Sequence, residues 1–246
     1  MIYNINQVKN IFEGKNVIIV GPANNLIGTN LGEFIDSQDI VCRINSSYII
    51  SEELQKDYGR RCDVLFNGCN TLLLCVLNRH RSYIKDCKLV INPTSKIHYT
   101  DFNMTKKNVY ENYKNIELDI PFYQAEGKYE KNMNEKGINT GMCSLDFLLN
   151  DKINIKQLYI CGFSFYNIKK KIINNIKINP YHTYLFDINK YKCNCSMDKP
   201  CKKRIDKPSE HHDVNISVET KQKKFFITNI LSNKKVKIHD TIKNII

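Results

Sequence analysis

The chain has 246 residues, 42% of them hydrophobic, with a formal net charge of +12. That length suits one α/β domain with a sizeable core and is tight for two, and the apolar share is ordinary for a soluble globular protein. The basic balance attracts anions (nucleic acid, headgroups or a phosphorylated small molecule), but the lysines are scattered and the charge does not choose among these.

Residues 1–15 are polar and mixed, without the apolar core of a signal peptide, and no run approaches the roughly 18 to 20 apolar residues of a membrane span. A cytoplasmic chain is the expectation. Val17–Val20 reads as a buried strand ending at Gly21. Asp39–Asn45, Asp63–Asn67, Lys88–Asn92 (stopped by Pro93) and Gln157–Cys161 (ending at Gly162) read as four more. Their apolar runs are continuous rather than alternating, which predicts a sheet covered on both faces. Helices are expected over Thr71–His80, Thr140–Leu149 and about Val218–Leu231. The alternation predicts a single Rossmann-like α/β domain over 1–246, with a mostly parallel, doubly wound central sheet. Residues 168–210, rich in Lys, Asn and Tyr, are a candidate lid, because loops that long in a compact domain are uncommon unless functional or disordered.

Ligands in such sheets sit beyond the carboxyl ends of the strands. Asn25, Asn45 and Asn67 lie at or just after three of those ends. The turn Gly21-Pro22-Ala23-Asn24-Asn25-Leu26-Ile27-Gly28 is small enough for backbone amides to approach a phosphate. It is neither Gly-x-Gly-x-x-Gly nor a P-loop. Ten cysteines are present. Only Cys193, Cys195 and Cys201 cluster, which is not a disulfide framework, and the thiols are expected to be reduced, in a reducing compartment. With His211 or His212 beyond them, those three form a candidate zinc set, weighed against plain loop cysteines.

Longer strings carry more. Val17 to Leu26, then Ile35-Asp36-Ser37-Gln38-Asp39, Val41-Cys42-Arg43-Ile44-Asn45 and Tyr58 to Asn67 closely resemble the long motif of the eukaryotic-type sialyltransferases, glycosyltransferase family 29. Asn139-Thr140-Gly141-Met142 with Cys161-Gly162-Phe163 resembles that family's short motif. Tyr181-His182-Thr183-Tyr184 resembles its aromatic-and-histidine motif, and His211-His212-Asp213 to Glu219 its final His…Glu motif. Tyr166, Tyr184 and His212 are also similar to the phosphate-binding tyrosines and catalytic histidine of the bacterial family 42 enzymes.

The resemblance implies a GT-A-like variant of the fold and an inverting, metal-independent transfer of sialic acid, or a related acid sugar such as Kdo, from a CMP-sugar donor to a glycan hydroxyl. His212, or His211 beside it, would be the general base. Tyr166, Tyr184 and His182 would stabilise the departing CMP phosphate. Gly21, Asn25, Asn45, Asn67, Thr140, Gly141 and Gly162 would bind the nucleotide donor. No metal is implied, and the sequence contains no Asp-x-Asp. Three departures stand out, the first two being Pro22 where the family usually has Asn and a longer His212-to-Glu219 spacing. The family's disulfide between long and short motifs is missing its first partner, since Val17 occupies that position. A donor hydrolase, a catalytically degenerate nucleotide- or glycan-binding member, and a basic nucleic-acid-binding protein are the alternatives. No recognisable nucleic-acid motif favours the last.

Overall fold

The computed structural model describes residues 1–69, 71–94, 110–111, 113–125, 139–149, 152–165, 171–173, 176–178 and 216–246. Among the described residues nine strands run in chain order: β1 Asn16–Val20, β2 Ile40–Ile44, β3 Val64–Phe66, β4 Leu89–Asn92, β5 Phe122–Gln124, β6 Gln157–Cys161, β7 Lys171–Ile173, β8 Ile176–Ile178 and β9 Val236–Ile238. Seven form one sheet in the order β5-β4-β3-β2-β1-β6-β9. Every pairing in it is parallel. β7 and β8 form a separate antiparallel pair.

Alternate residues of each strand enter opposite cores, which is why the apolar runs are continuous. Val17, Ile19, Cys42, Ile44, Val64, Phe66, Leu89, Ile91, Leu158 and Ile160 share one core with the Thr140–Leu149 helix and with Val8 and Phe12. Ile18, Val20 and Val41 face the other way with Leu26, Ile35 and Tyr58. Leu65 and Val90 do so with Leu74 and Leu77 of the Thr71–Arg79 helix. Each fully buried aliphatic side chain contributes roughly 1.5–3 kcal/mol.

Carboxylates before the strands fix the register. Asp39 Oδ2 accepts from the Asn16 amide at 2.8 Å, and Asp63 Oδ2 from the Val41 amide at 2.9 Å. Asp63 is buried and also meets Arg61 at 2.7 Å and Lys88 at 3.2 Å. Each therefore satisfies an amide at the first residues of a strand, where the ladder supplies no acceptor.

Several elements differ from expectation. The polar amino terminus contains a helix, Ile5–Phe12, started by a capping box between Asn4 and Gln7 and held by Val8 and Phe12 on one face. β5 and β9 were not expected: each has three residues, and β9 lies in a lysine-rich stretch. The last expected helix begins earlier, as Ile216–Phe225, and continues as a wider π-type turn over Phe226–Leu231. Within the candidate lid, expected to lack strong strands, β7 and β8 are described; the rest of 168–210 lies outside the described residues.

Candidate active site

β1 is the switch point. The chain steps away from it through β2 to β5, then returns to its other side with β6 and β9. Just beyond β1 and β6 the backbones touch. The Gly21 amide donates to Cys161 O at 2.9 Å, and the Ala23 amide to Gly162 O at 2.9 Å. A Cβ on Gly21 would lie 2.3 Å from Gly162 O, so no other residue fits there. Gly162 has φ +70 and faces Gly21 as closely, with a Cβ 2.6 Å from its oxygen. Asn25 reinforces the seam by donating Nδ2–H to Phe163 O at 2.8 Å, and its Oδ1 is buried with no protein partner. Tyr58, fully buried, donates its hydroxyl to Ala23 O at 2.7 Å.

On the other side of β1 the carboxyl edge is built differently. Register places Asn45 opposite Asn67, because the Asn45 amide donates to Phe66 O at 2.7 Å. Asn67 stands opposite Asn92 through its amide to Ile91 O at 2.8 Å. Asn92 pairs with Gln124. Four carboxamides thus form one row across β2 to β5. Each spends part of its side chain on a neighbouring turn: Asn67 and Asn92 on the one that follows their own strand, Asn45 and Gln124 on the one that follows an adjacent strand. Asn45 Oδ1 accepts from the Gly68 amide (3.0 Å), and Asn67 Oδ1 from the Cys69 amide (2.7 Å). Asn92 Oδ1 accepts from both the amide (3.0 Å) and the hydroxyl (2.8 Å) of Thr94. Gln124 Nε2 donates to Thr94 O at 2.9 Å. The remaining atoms, Asn67 Nδ2, Asn92 Nδ2 and Gln124 Oε1, are buried without a partner among the described residues. Leaving such groups unpaired costs about 1–3 kcal/mol each, so they are the atoms with most to gain from a bound polar molecule. Asn45 holds φ +52, a strained conformation for a side-chain-bearing residue.

The Thr140–Leu149 helix begins against this row. Asn139 Oδ1 caps it by accepting from the Met142 amide at 3.1 Å, and a Cβ on Gly68 would lie 3.1 Å from Thr140 Oγ1. Gly141 sits under Phe163, with room for a Cβ only at 3.0 Å from that ring. Gln222, buried on the Ile216–Phe225 helix, accepts from Asn139 Nδ2 at 3.2 Å. The carboxyl-terminal helix is therefore anchored to the same corner.

Of the sequence-expected residues, the structure brings Asn45, Asn67, Thr140 and Gly141 together on the row, and Gly21, Asn25 and Gly162 on the adjacent seam. Tyr166, His182, Tyr184, His211, His212 and the Cys193, Cys195, Cys201 set lie outside the described residues. Asn92 and Gln124 were not anticipated. The signal for Asn92 was present, because it ends its strand as Asn45 and Asn67 follow theirs, yet Asn92-Pro93 read only as a strand stop. A cavity of about 340 Å³ lined by Leu148, Ile153, Ile155 and Lys235 lies at the opposite, amino-terminal edge.

The molecule is an α/β protein with a doubly wound parallel sheet and polar groups gathered at its carboxyl edge, the place where such sheets hold ligands. The chain belongs to glycosyltransferase family 29, the sialyltransferases, whose family model matches residues 11–149. No curated protein matches it in sequence. Solved structures similar to the chain include two of mammalian sialyltransferases. One is a mammalian sialyltransferase in complex with Gal-beta-1-3GalNAc-ortho-nitrophenol, at 15% identity and TM-score 0.40, covering 67% of this chain and 60% of that one. The other is a mammalian sialyltransferase at 12% identity and TM-score 0.44, covering 97% of this chain and 80% of that one. The chain thus spans less than two thirds of the first structure's length.

The family overturns the cytoplasmic expectation, because its members are Golgi-lumenal sialyltransferases. No described helix is long and apolar enough to cross a membrane. The inference from reduced cysteines to a reducing compartment falls with it. The seven described thiols are buried and form no disulfide in the structure, and a buried thiol reports its packing rather than its compartment. Burial pushes Cys161 up to about 12, and burial followed by the charge of Asp146 does the same to Cys143.

Proposed function

We propose that this chain transfers sialic acid, or a related acid sugar, from a CMP-sugar to a hydroxyl of an acceptor glycan, with inversion at the anomeric carbon and without a metal ion. The carboxamide row, with its partnerless buried Nδ2 and Oε1 atoms beside the amino end of the Thr140–Leu149 helix, carries this reading. Neutral amide donors and acceptors suit ribose, sugar and phosphate oxygens, and the helix amino terminus favours the donor's negative charge.

In this reading Asn45 and Asn67 hold the nucleotide, Thr140 and Gly141 orient it at the helix start, and Asn92 and Gln124 extend the binding surface toward β5. Asn25 contributes its Oδ1 from the seam. His212 removes the acceptor proton as that oxygen attacks, which needs a neutral imidazole near its ordinary pKa. Tyr166, Tyr184 and His182 donate to the CMP phosphate as it leaves. His212 precedes the Ile216–Phe225 helix by only a few residues, and Gln222 of that helix is fastened to Asn139, which favours a base near this corner.

Incubation of the protein with CMP-sialic acid and a glycan panel in EDTA, following CMP release, tests the proposal. Release is expected to survive EDTA and to fall at least about 100-fold in His212→Ala. Tight CMP binding without release would mark a non-catalytic member and defeat the transferase reading, and EDTA-sensitive release would defeat metal independence.

A further inference from the structure

We propose that Cys62 and Cys87 form a disulfide that staples the entry of β3 to the entry of β4. The inference is independent of the transfer reading. Val64 pairs with Leu89 in the parallel ladder, and the Lys88 amide donates to Asp63 O at 2.7 Å. The same register, taken two residues back, sets Cys62 opposite Cys87. Adjacent strands lie about 4.8 Å apart, inside the Cα separation of about 4.4–6.8 Å that a disulfide spans. Both side chains belong to the same apolar cluster, on one face of the sheet. The Cys87 Sγ lies 3.5 Å from Asp63 O and 3.3 Å from Leu89 O, and the Cys62 Sγ 3.9 Å from Val64 O.

The neighbouring thiols do not compete equally. Cys42 faces the opposite core, and both it and Cys69 are 0% exposed, whereas Cys62 and Cys87 retain 8% and 7% at the amino-terminal edge of the sheet. The oxidant is a small-molecule disulfide of the glutathione type. One thiolate of the pair attacks a sulfur of that disulfide and expels its first thiol. The second thiolate then attacks the mixed disulfide and expels the other thiol. Two electrons and two protons leave with the two small thiols, and the Cys62–Cys87 bond remains. Burial holds the Cys62 thiol well above its ordinary value, so thiolate is scarce once the core has closed. The exchange belongs to the period when β3 and β4 are assembling.

The test is to refold the full chain in a reduced/oxidised glutathione mixture, alkylate free thiols, digest with trypsin and read the peptides without reduction. Cleavage frees the peptide 86–88, holding Cys87, from 62–79, which holds Cys62, Cys69 and Cys75. The expected result is the two peptides joined, two hydrogens lighter than their sum. In Cys62→Ser, the peptide 86–88 should instead carry an alkylated Cys87. The oxidised wild type should melt about 5–10 °C above its reduced form, a gap lost in Cys87→Ser. Alkylated Cys87 in oxidised, cooperatively unfolding wild type would overturn the proposal. So would persistence of the joined peptides in Cys62→Ser, which would assign the bond to Cys69 or Cys75.

Discussion

The carboxyl edge of the sheet is made in two ways. Across β1 and β6, main chain meets main chain: Gly21 and Gly162 touch, and amides and carbonyls of both loops bond to each other. Across β2 to β5, side chains terminate the strands, and their carboxamides are only half used. At the seam, main-chain groups are consumed in holding the fold, and only the Asn24 carboxamide and Asn25 Oδ1 are left over. On the row, polar groups are held in place by the fold and left with valences over. A glycine in a binding loop can thus be required for shape alone, while an asparagine one strand away is free for chemistry.

That contrast sets the size and kind of effect a substitution should have. Gly162→Ala should be the most damaging, because its Cβ would meet Gly21 backbone at 2.6 Å in a left-handed conformation. A loss of about 3 kcal/mol or more is expected in urea unfolding. Near-normal stability would mean that the seam can part. Asn67→Asp keeps the Oδ1 bond to the Cys69 amide while replacing the partnerless Nδ2 by an anionic oxygen. Stability should fall by about 1–3 kcal/mol or more, because the buried anionic oxygen has no partner, while CMP affinity measured by calorimetry should fall at least about tenfold, or about 1.4 kcal/mol. Equal CMP affinity in the variant would erase the distinction between row and seam.

The smallest effect lies at the outer flank of the seam side. The His239 amide joins β9 to Ile160 O, and its Nδ1 accepts from the Thr241 amide at 3.3 Å, capping the last short helix. Burial lowers its pKa, with Asp240 opposing. The folded chain therefore prefers neutral imidazole. Stability is full above the unfolded pKa of about 6.5 and declines as pH falls from there through the folded pKa. An NMR titration should place His239 below 6.5, with the Thr241 amide shifting in step; a value above 6.5 would contradict the cap.

The sequence was readable where burial was complete and unreadable where it was local. β1 to β4 and β6 announced themselves because both faces are covered, so their runs are apolar almost throughout, with Arg43 inside β2 and polar residues only at the strand ends. β5 contributes only Phe122, Tyr123 and Gln124, too few for any period to register, and β9 alternates Val236-Lys237-Ile238 as an edge strand with one wet face. The amino-terminal helix hid behind its polar majority. Asn4, Gln7, Val8 and Phe12 carried the signal, as a cap and an i, i+4 pair. Asn45 and Asn67 were legible as strand-end polar residues, but their alignment with Asn92 and Gln124 depends on register across three neighbours, which no single stretch encodes.

Arg43 stands two residues before Asn45, at 0% exposure. Its guanidinium donates to Arg61 O at 2.9 Å and Tyr58 O at 2.7 Å, and among the described residues no carboxylate pairs with it. Burial lowers its pKa, yet a guanidinium stays charged in proteins. A full positive charge is thus sealed under β2, where water does not screen it and a low-permittivity surrounding carries its field outward. That field favours an anion over a neutral molecule at the neighbouring strand end, and because its source is inaccessible to ions, added salt should weaken the preference far less than it weakens attraction to the surface lysines.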